Sequence, residues 1–250
     1  MEKTIIVANW KMHPVKLSQA REILFEVIGG LKSTRDSDKE IVFCPPFLWF
    51  EDLAAQVKNK RGVALGAQNC HWEQGGAYTG EISSAMLANA GAKYVILGHS
   101  ERRQLMGETD EIVNLKIKAA LKADLKPILC VGEKDGEEMN IRVEEQLSKD
   151  LASLSVNQTK EIIIAYEPVW AIGSGKPCPP DSALSATLFI RRILTKLYSR
   201  FLAEKIPVIY GGSVEAQNAS GYIKTANMNG LLVGGASLEA KEFLKIIGSF

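Results

Sequence analysis

The sequence predicts an α/β fold, a single (β/α)8 barrel around a parallel eight-stranded sheet. Three observations lead there. Short β-rich apolar runs alternate with longer amphipathic segments from end to end, each run precedes its amphipathic partner, and eight complete units fill the 250 residues with none left over. Units that are all β before α call for parallel strands joined by crossover helices. A closed barrel of about 250 residues is a common size for that arrangement. An open doubly wound sheet of the same length satisfies the first two observations and stays open at this point. No linker-like stretch or charge block divides the chain. Residues 173–180 come nearest and sit inside a repeat unit, so 1–250 reads as one domain.

Taken in order, the strands are expected at 4–9, 40–44, 64–67, 94–97, 127–131, 162–166, 207–210 and 230–233. The helices are expected near 17–28, 48–58, 83–90, 110–123, 140–154, 180–201, 215–224 and 239–247. In 110–123, Ile112, Leu115 and Ala119 recur at helical spacing on one side while Lys116 and Lys122 sit elsewhere. In 180–201 the apolar side holds Leu184, Leu188, Ile193, Leu194 and Leu197, with Arg191-Arg192 toward water.

Composition narrows the function. Hydrophobic residues make up 46%, enough for a sizeable core. Thirty basic against 29 acidic residues leave a net charge of +1, which argues against a broad nucleic-acid or anionic-membrane surface but not against a local anion site. No apolar run approaches the ~18 residues that span a bilayer. Cys44, Cys70, Cys130 and Cys178 are scattered without ligand spacing, so neither a zinc site nor any other metal is expected. The chain enters its first strand directly from Met1 without a secretory pattern, and a reducing, cytoplasmic setting is expected.

Chemistry in a barrel gathers where the strands end, because the βα loops converge there. Polar residues follow the predicted strands. The first ends Asn9-Trp10-Lys11; two residues apart in extended chain, Asn9 and Lys11 face the same way, either into the barrel mouth or along its rim. The fourth ends Gly98-His99-Ser100-Glu101, where a helical turn opening at Ser100 would favour an uncharged imidazole at its positive end; a structural histidine is the alternative. The sixth ends at Glu167, stiffened by Pro168 and followed by Val169, Trp170, Ile172, Gly173 and Gly175. A carboxylate at a strand end before an apolar, hinged loop suits a base beneath a closing lid; a solvated surface glutamate is the alternative. The seventh and eighth end Gly211-Gly212-Ser213 and Gly234-Gly235, either tight turns or backbone donors for a phosphate. Together these parts suit proton abstraction beside a carbonyl in a phosphorylated substrate, without a cofactor.

Eight collinear segments carry a resemblance: Asn9-Trp-Lys-Met12, Ala67-Gln-Asn69, Gly76-Ala-Tyr-Thr-Gly-Glu81, Gly98-His-Ser-Glu-Arg-Arg103, Gly107-Glu-Thr-Asp-Glu111, Ala165-Tyr-Glu-Pro-Val-Trp-Ala-Ile-Gly173, Tyr210-Gly-Gly-Ser-Val214 and Val233-Gly-Gly-Ala-Ser-Leu238. Over essentially its whole length the chain resembles the triosephosphate isomerases. The resemblance implies a TIM barrel that interconverts dihydroxyacetone phosphate and D-glyceraldehyde 3-phosphate through an enediolate, in glycolysis and gluconeogenesis. It implies Glu167 as the base, His99 as the neutral electrophile, Lys11 as the positive charge and Asn9 as a contact to the reacting oxygens. The main chain of Gly173, Ser213, Gly234 and Gly235 would bind phosphate, while Ser100 and Glu101 would set His99 and Lys11 in place. A homodimer is implied too: the loop at 68–81, with Gln68 and Thr79, would enter the partner's site, Cys70 would lie near the contact, and Cys130 would face the interior below the active site.

Two departures stand out. The trailing lid hinge reads Gly175-Lys-Pro-Cys-Pro-Pro180, where small or hydroxyl residues are more usual after the lysine, and His71-Trp72 is atypical for the interface loop. Competing readings are another phosphosugar enzyme on the same barrel and a non-catalytic barrel. An aldolase would need an interior strand lysine, which the predicted strands lack.

Overall fold

In the computed structural model, which describes residues 3–31 and 38–250, strand β1 pairs in parallel with both β2 and β8 and so closes the sheet. The strands are β1 (Thr4–Asn9), β2 (Lys39–Cys44), β3 (Val63–Ala67), β4 (Tyr94–Leu97), β5 (Lys126–Val131), β6 (Ile163–Tyr166), β7 (Val208–Tyr210) and β8 (Gly230–Val233), in that order around the barrel. Closure removes the open-sheet alternative. Met1 and Glu2, which the sequence carries straight into β1, lie outside the described residues.

The helices are α1 (Leu17–Gly30), α2 (Phe47–Val57), α3 (Ser84–Asn89), α4 (Ser100–Leu105), α5 (Asp110–Lys122), α6 (Met139–Asp150), α7 (Val156–Thr159), α8 (Pro180–Leu197), α9 (Arg200–Lys205), α10 (Ala216–Lys224) and α11 (Ala240–Ile247). Short 3-10 turns follow β6 at Val169–Ala171 and β8 at Gly235–Leu238. Hydroxyl caps start several helices: Ser83 accepts from Met86 N at 3.2 Å, and Thr109 from Ile112 N at 3.3 Å.

Side chains alternate across each strand, so one set fills the barrel axis and the other meets the helices. Val7, Val42, Ile96, Ile128, Ile163 and Ile209 form the inner cluster. Ile6, Phe43, Leu65, Leu129 and Ile164 join the outer core with the helices. Both faces are buried, which is why the strands read as continuous apolar runs.

The structure corrects three readings of the helices. The segment 180–201 is two helices, because Tyr198 leaves helical geometry at φ −131°, ψ −89° and the Ser199 hydroxyl caps the next helix at Leu202 N. Its buried face is Ala183, Ala186, Phe189, Ile190, Ile193 and Leu194, while Leu188 is 60% exposed and Arg191 donates to the Ala203 carbonyl at 2.6 Å. In α5 the buried face is Val113, Ile117 and Ala120, Leu115 is exposed, and Lys116 is buried because Glu108 and Asn69 receive its ammonium. Ala119 is buried as expected, while the buried Val113 and Ile117 lie one and two residues beyond Ile112 and Leu115. Among the described residues no helix is long and apolar enough to cross a membrane.

Candidate active site

The strand ends converge on a cavity of about 250 Å³ lined by Asn9, Lys11, His99, Glu167, Gly173, Ser213, Gly234 and Gly235. Every residue expected to act on substrate therefore reaches one mouth. Four elements hold the charged and polar groups there.

Lys11 arrives by an unexpected route. It has φ +53°, a left-handed conformation costly for a residue that carries a Cβ, so the chain turns at once after β1 rather than continuing extended. Its N–H donates to Asn9 Oδ1 at 3.1 Å, and Gln68 Nε2 donates to its carbonyl at 2.7 Å and to that of Cys44 at 2.8 Å. The turn is thus pinned from both sides. The ammonium then donates to Glu101 Oε1 at 2.5 Å, giving a half-buried positive charge its partner.

Helix α4 positions two side chains through its first turn. The leading N–H groups of a helix have no intrahelical acceptor. Here Ser100 N donates to Glu167 Oε2 at 2.9 Å, and Glu101 N donates to His99 Nδ1 at 3.2 Å. A ring nitrogen that accepts an N–H carries no proton, so the His99 proton sits on Nε2, which stands 3.2 Å from Glu167 Oε1. The Glu101 carboxylate comes no nearer to Nδ1 than 3.6 Å and does not replace that donor. Ser100 differs from its expected part: its main chain orients Glu167 rather than His99 or Lys11.

Glu167 is 1% exposed, yet Oε1 has no hydrogen-bond partner among the described residues. Beside it Gly211 leaves room, since a Cβ there would stand 2.9 Å from Glu167 Cγ. Cys130 lies beneath in the inner cluster, and burial together with the neighbouring Glu167 charge pushes its thiol well up, so it stays protonated.

The loop after Glu167 is fastened at several points. Glu133 accepts from Trp170 Nε1 at 2.7 Å and Tyr166 Oη at 3.1 Å. Ser213 Oγ donates to the Ala171 carbonyl at 2.6 Å and accepts from Gly173 N at 3.3 Å. Cys178 N donates to Tyr210 Oη at 3.3 Å, closing the trailing end. Gly173 needs glycine for its φ of +67°. Gly235 does not need it for packing, since a Cβ there would meet nothing within 4 Å; what glycine provides is an open approach to the backbone for an anion.

Sequence reasoning missed Arg103. Its guanidinium, 9% exposed, donates to the Gly98 carbonyl at 2.6 Å, to Asp110 at 2.5 Å and to Asp150 at 2.6 Å, bracing the segment that carries His99. Only the Gly98-to-Arg103 segment itself hinted at this, and nothing local pointed to Asp150. Gln68, expected in the interface loop, spends its amide within its own chain, while Thr79 is exposed. The buried strand lysine of β2, Lys39, points outward to the Ile247 carbonyl at 2.6 Å, so the barrel axis offers no Schiff-base amine from it.

The model of the triosephosphate isomerase family matches residues 4–250. A triosephosphate isomerase of Carboxydothermus hydrogenoformans is 47% identical over 253 residues, covering 99% of this chain and 98% of its own. One from Endomicrobium trichonymphae is 46% identical over 251 residues, with 99% and 98% covered. That of Aquifex aeolicus is 44% identical over 252 residues, with 99% and 100% covered.

Proposed function

Because the chain belongs to the triosephosphate isomerase family, we propose that Glu167 is the base with which it moves a proton between adjacent carbons of a triose phosphate. The overall reaction is the interconversion of dihydroxyacetone phosphate and D-glyceraldehyde 3-phosphate, a step of glycolysis.

In the ketose-to-aldose direction Glu167 takes a proton from the carbon bearing the hydroxyl, next to the carbonyl. Electrons flow into the carbonyl and leave an enediolate. His99 gives its Nε2 proton to the developing oxygen anion and takes the proton of the neighbouring hydroxyl in return, so the charge passes from one oxygen to the other. The Lys11 ammonium offsets it, and Asn9 contacts the reacting oxygens. Glu167, now protonated, returns the proton to the neighbouring carbon. Donors aligned before the reaction stabilise the charge without reorganising. The main chain of Gly173, Ser213, Gly234 and Gly235 holds the phosphate, and the loop from Val169 onward keeps water from an intermediate that would otherwise lose phosphate.

The observation that carries this reading is Glu167 Oε1: a buried carboxylate oxygen with no hydrogen-bond partner among the described residues, facing a cavity that also holds Lys11 and His99. Such an atom costs stability unless a ligand uses it. A coupled assay with dihydroxyacetone phosphate tests the reading; absence of turnover rejects it.

The barrel, residues 1–250, would act as one catalytic domain in the cytoplasm, as a homodimer. Met12 at 89%, Leu48 at 83% and Met86 at 57% exposure follow β1, β2 and β3 on one side of the mouth, beside the exposed loop holding Thr79. Apolar exposure of that extent suits a subunit contact. Sedimentation showing only monomer at micromolar concentration rejects the dimer.

A further inference from the structure

The opposite end of the barrel, where the strands begin, carries a second and larger concavity of about 720 Å³. It lies between the end of α2, the start of β3 and the connection from α3 to β4. Lys58, Lys60, Arg61 and Lys93 line it, and among the described residues no carboxylate does.

Among the described residues, none of these four cations has an ion-pair partner. Other cations, among them Lys118, Lys122 and Lys160, also lack one; what sets these four apart is that they line one concavity together. Arg102 and Lys116 share Glu108, and even the exposed Lys196 and Arg200 take Glu144 and Glu204. Acids are not in short supply, with 29 against 30 basic residues. Glu40, at the start of β2, is engaged by Lys3 at 3.7 Å and Tyr94 at 2.7 Å and does not line the cavity.

The C-terminal carbonyls of α2 and α3 do not account for the cluster. Ala54 O already accepts from Lys58 N at 3.1 Å, Val57 O from Lys60 N at 2.9 Å, and Met86 O from Ala90 N at 3.0 Å. Among the described residues the ammonium and guanidinium groups have no acceptor, and like charges gathered in one concavity repel unless an anion joins them.

We propose that this basal cavity binds a small anion carrying several phosphate groups. The volume falls within the ~300–1,000 Å³ of small-molecule pockets, well beyond the needs of one phosphate. Arg61 supplies a planar fork for phosphate oxygens and the lysines supply point charges. Val57, Leu65 and Ala90 supply apolar lining, and among the described residues no aromatic ring on which a base could stack lines it. The net charge of only +1 sets a local anion site apart from a nucleic-acid surface.

Calorimetric titration of the full chain with inorganic tripolyphosphate, at ~0.15 M salt where exposed charges are well screened, tests the proposal. Saturable binding at one site is expected, weakened by about tenfold or more in Lys60→Glu/Arg61→Glu, or ~1.4 kcal/mol. The isomerase kcat/KM of that variant should equal wild type, which also reports an intact fold. The neutral pair Lys60→Gln/Arg61→Gln should fall between them. No saturable binding, or equal affinity in all three proteins, overturns the proposal; equal affinity would place the anion in the catalytic mouth. Tighter binding of a short DNA duplex than of tripolyphosphate would also overturn it.

Discussion

Glu167 Oε1 and His99 Nε2 stand 3.2 Å apart in the cavity, and the carboxylate oxygen nonetheless has no hydrogen-bond partner among the described residues. The two oxygens of one carboxylate are therefore unequal: Oε2 is tethered by Ser100 N at 2.9 Å, while Oε1 has no such tether. His99 has a similar division, with Nδ1 fixed by Glu101 N and Nε2 facing Glu167. Replacing His99 by Gln removes the aligned donor. We expect kcat to fall by ~10²–10³, the scale for losing one such donor, with KM little changed. Steady-state kinetics check this, and an unchanged kcat would separate His99 from the developing charge.

Gln68 holds the Lys11 turn through two carbonyls. In Gln68→Ala the left-handed backbone of Lys11 loses its outer tether, and the ammonium no longer has one resting place. Two lost hydrogen bonds predict a stability loss of ~1–3 kcal/mol. A fall in kcat/KM should accompany it and should reach the variant's KM, because charge placement toward substrate is blurred. Denaturant titration beside kinetics tests this; full activity at reduced stability would make Gln68 purely structural.

Pro177 sits exposed on the trailing side of the lid, whereas its neighbour Cys178 is buried and tied to Tyr210 and, through its carbonyl, to Tyr222 Oη at 2.9 Å. A ring that packs against little but fixes its own backbone acts on how the loop opens more than on how the fold holds. Pro177→Thr should change kcat while shifting Tm little. Equal kcat in the two proteins discards the idea.

Glu108 links catalysis-bearing segments to acid stability. Burial alone would raise its carboxyl, but the Lys116 and Arg102 donors outweigh burial and hold it below the ordinary 4.5. A depressed folded value means that the pairing contributes fully above pH 4.5 and is lost as pH falls through the lower, folded value. Glu108→Gln should therefore lower Tm near neutrality, and the gap from wild type should narrow below pH 4.5. Thermal melts across that range read it directly; a gap independent of pH contradicts the assignment.

What the sequence showed of all this depends on how local each feature is. Strand ends were readable because apolar runs stop at polar residues, so Asn9, His99 and Glu167 could be placed at the mouth before any coordinates. Closure of β1 onto β8 could only be inferred from the count of units. The Lys11 turn was not visible, since its φ of +53° depends on a tether from Gln68, 57 residues away. Lys116 read as a wet-face lysine because its carboxylate and amide acceptors lie outside its own helix. The break at Tyr198 hides in an unbroken helical pattern with no Pro or Gly to mark it. Arg103 likewise gains its part only when Asp150, 47 residues on, folds against it.

Glu167 is the group proposed to take the substrate proton. Turnover of dihydroxyacetone phosphate in deuterium oxide by wild type and Glu167→Ala tests it directly. Wild type should form aldose carrying solvent deuterium at the newly protonated carbon. The variant should lose ~10²–10⁴ in kcat, the range for removing a general base, and its label with it. Near-normal turnover by Glu167→Ala would assign the proton transfer to another residue.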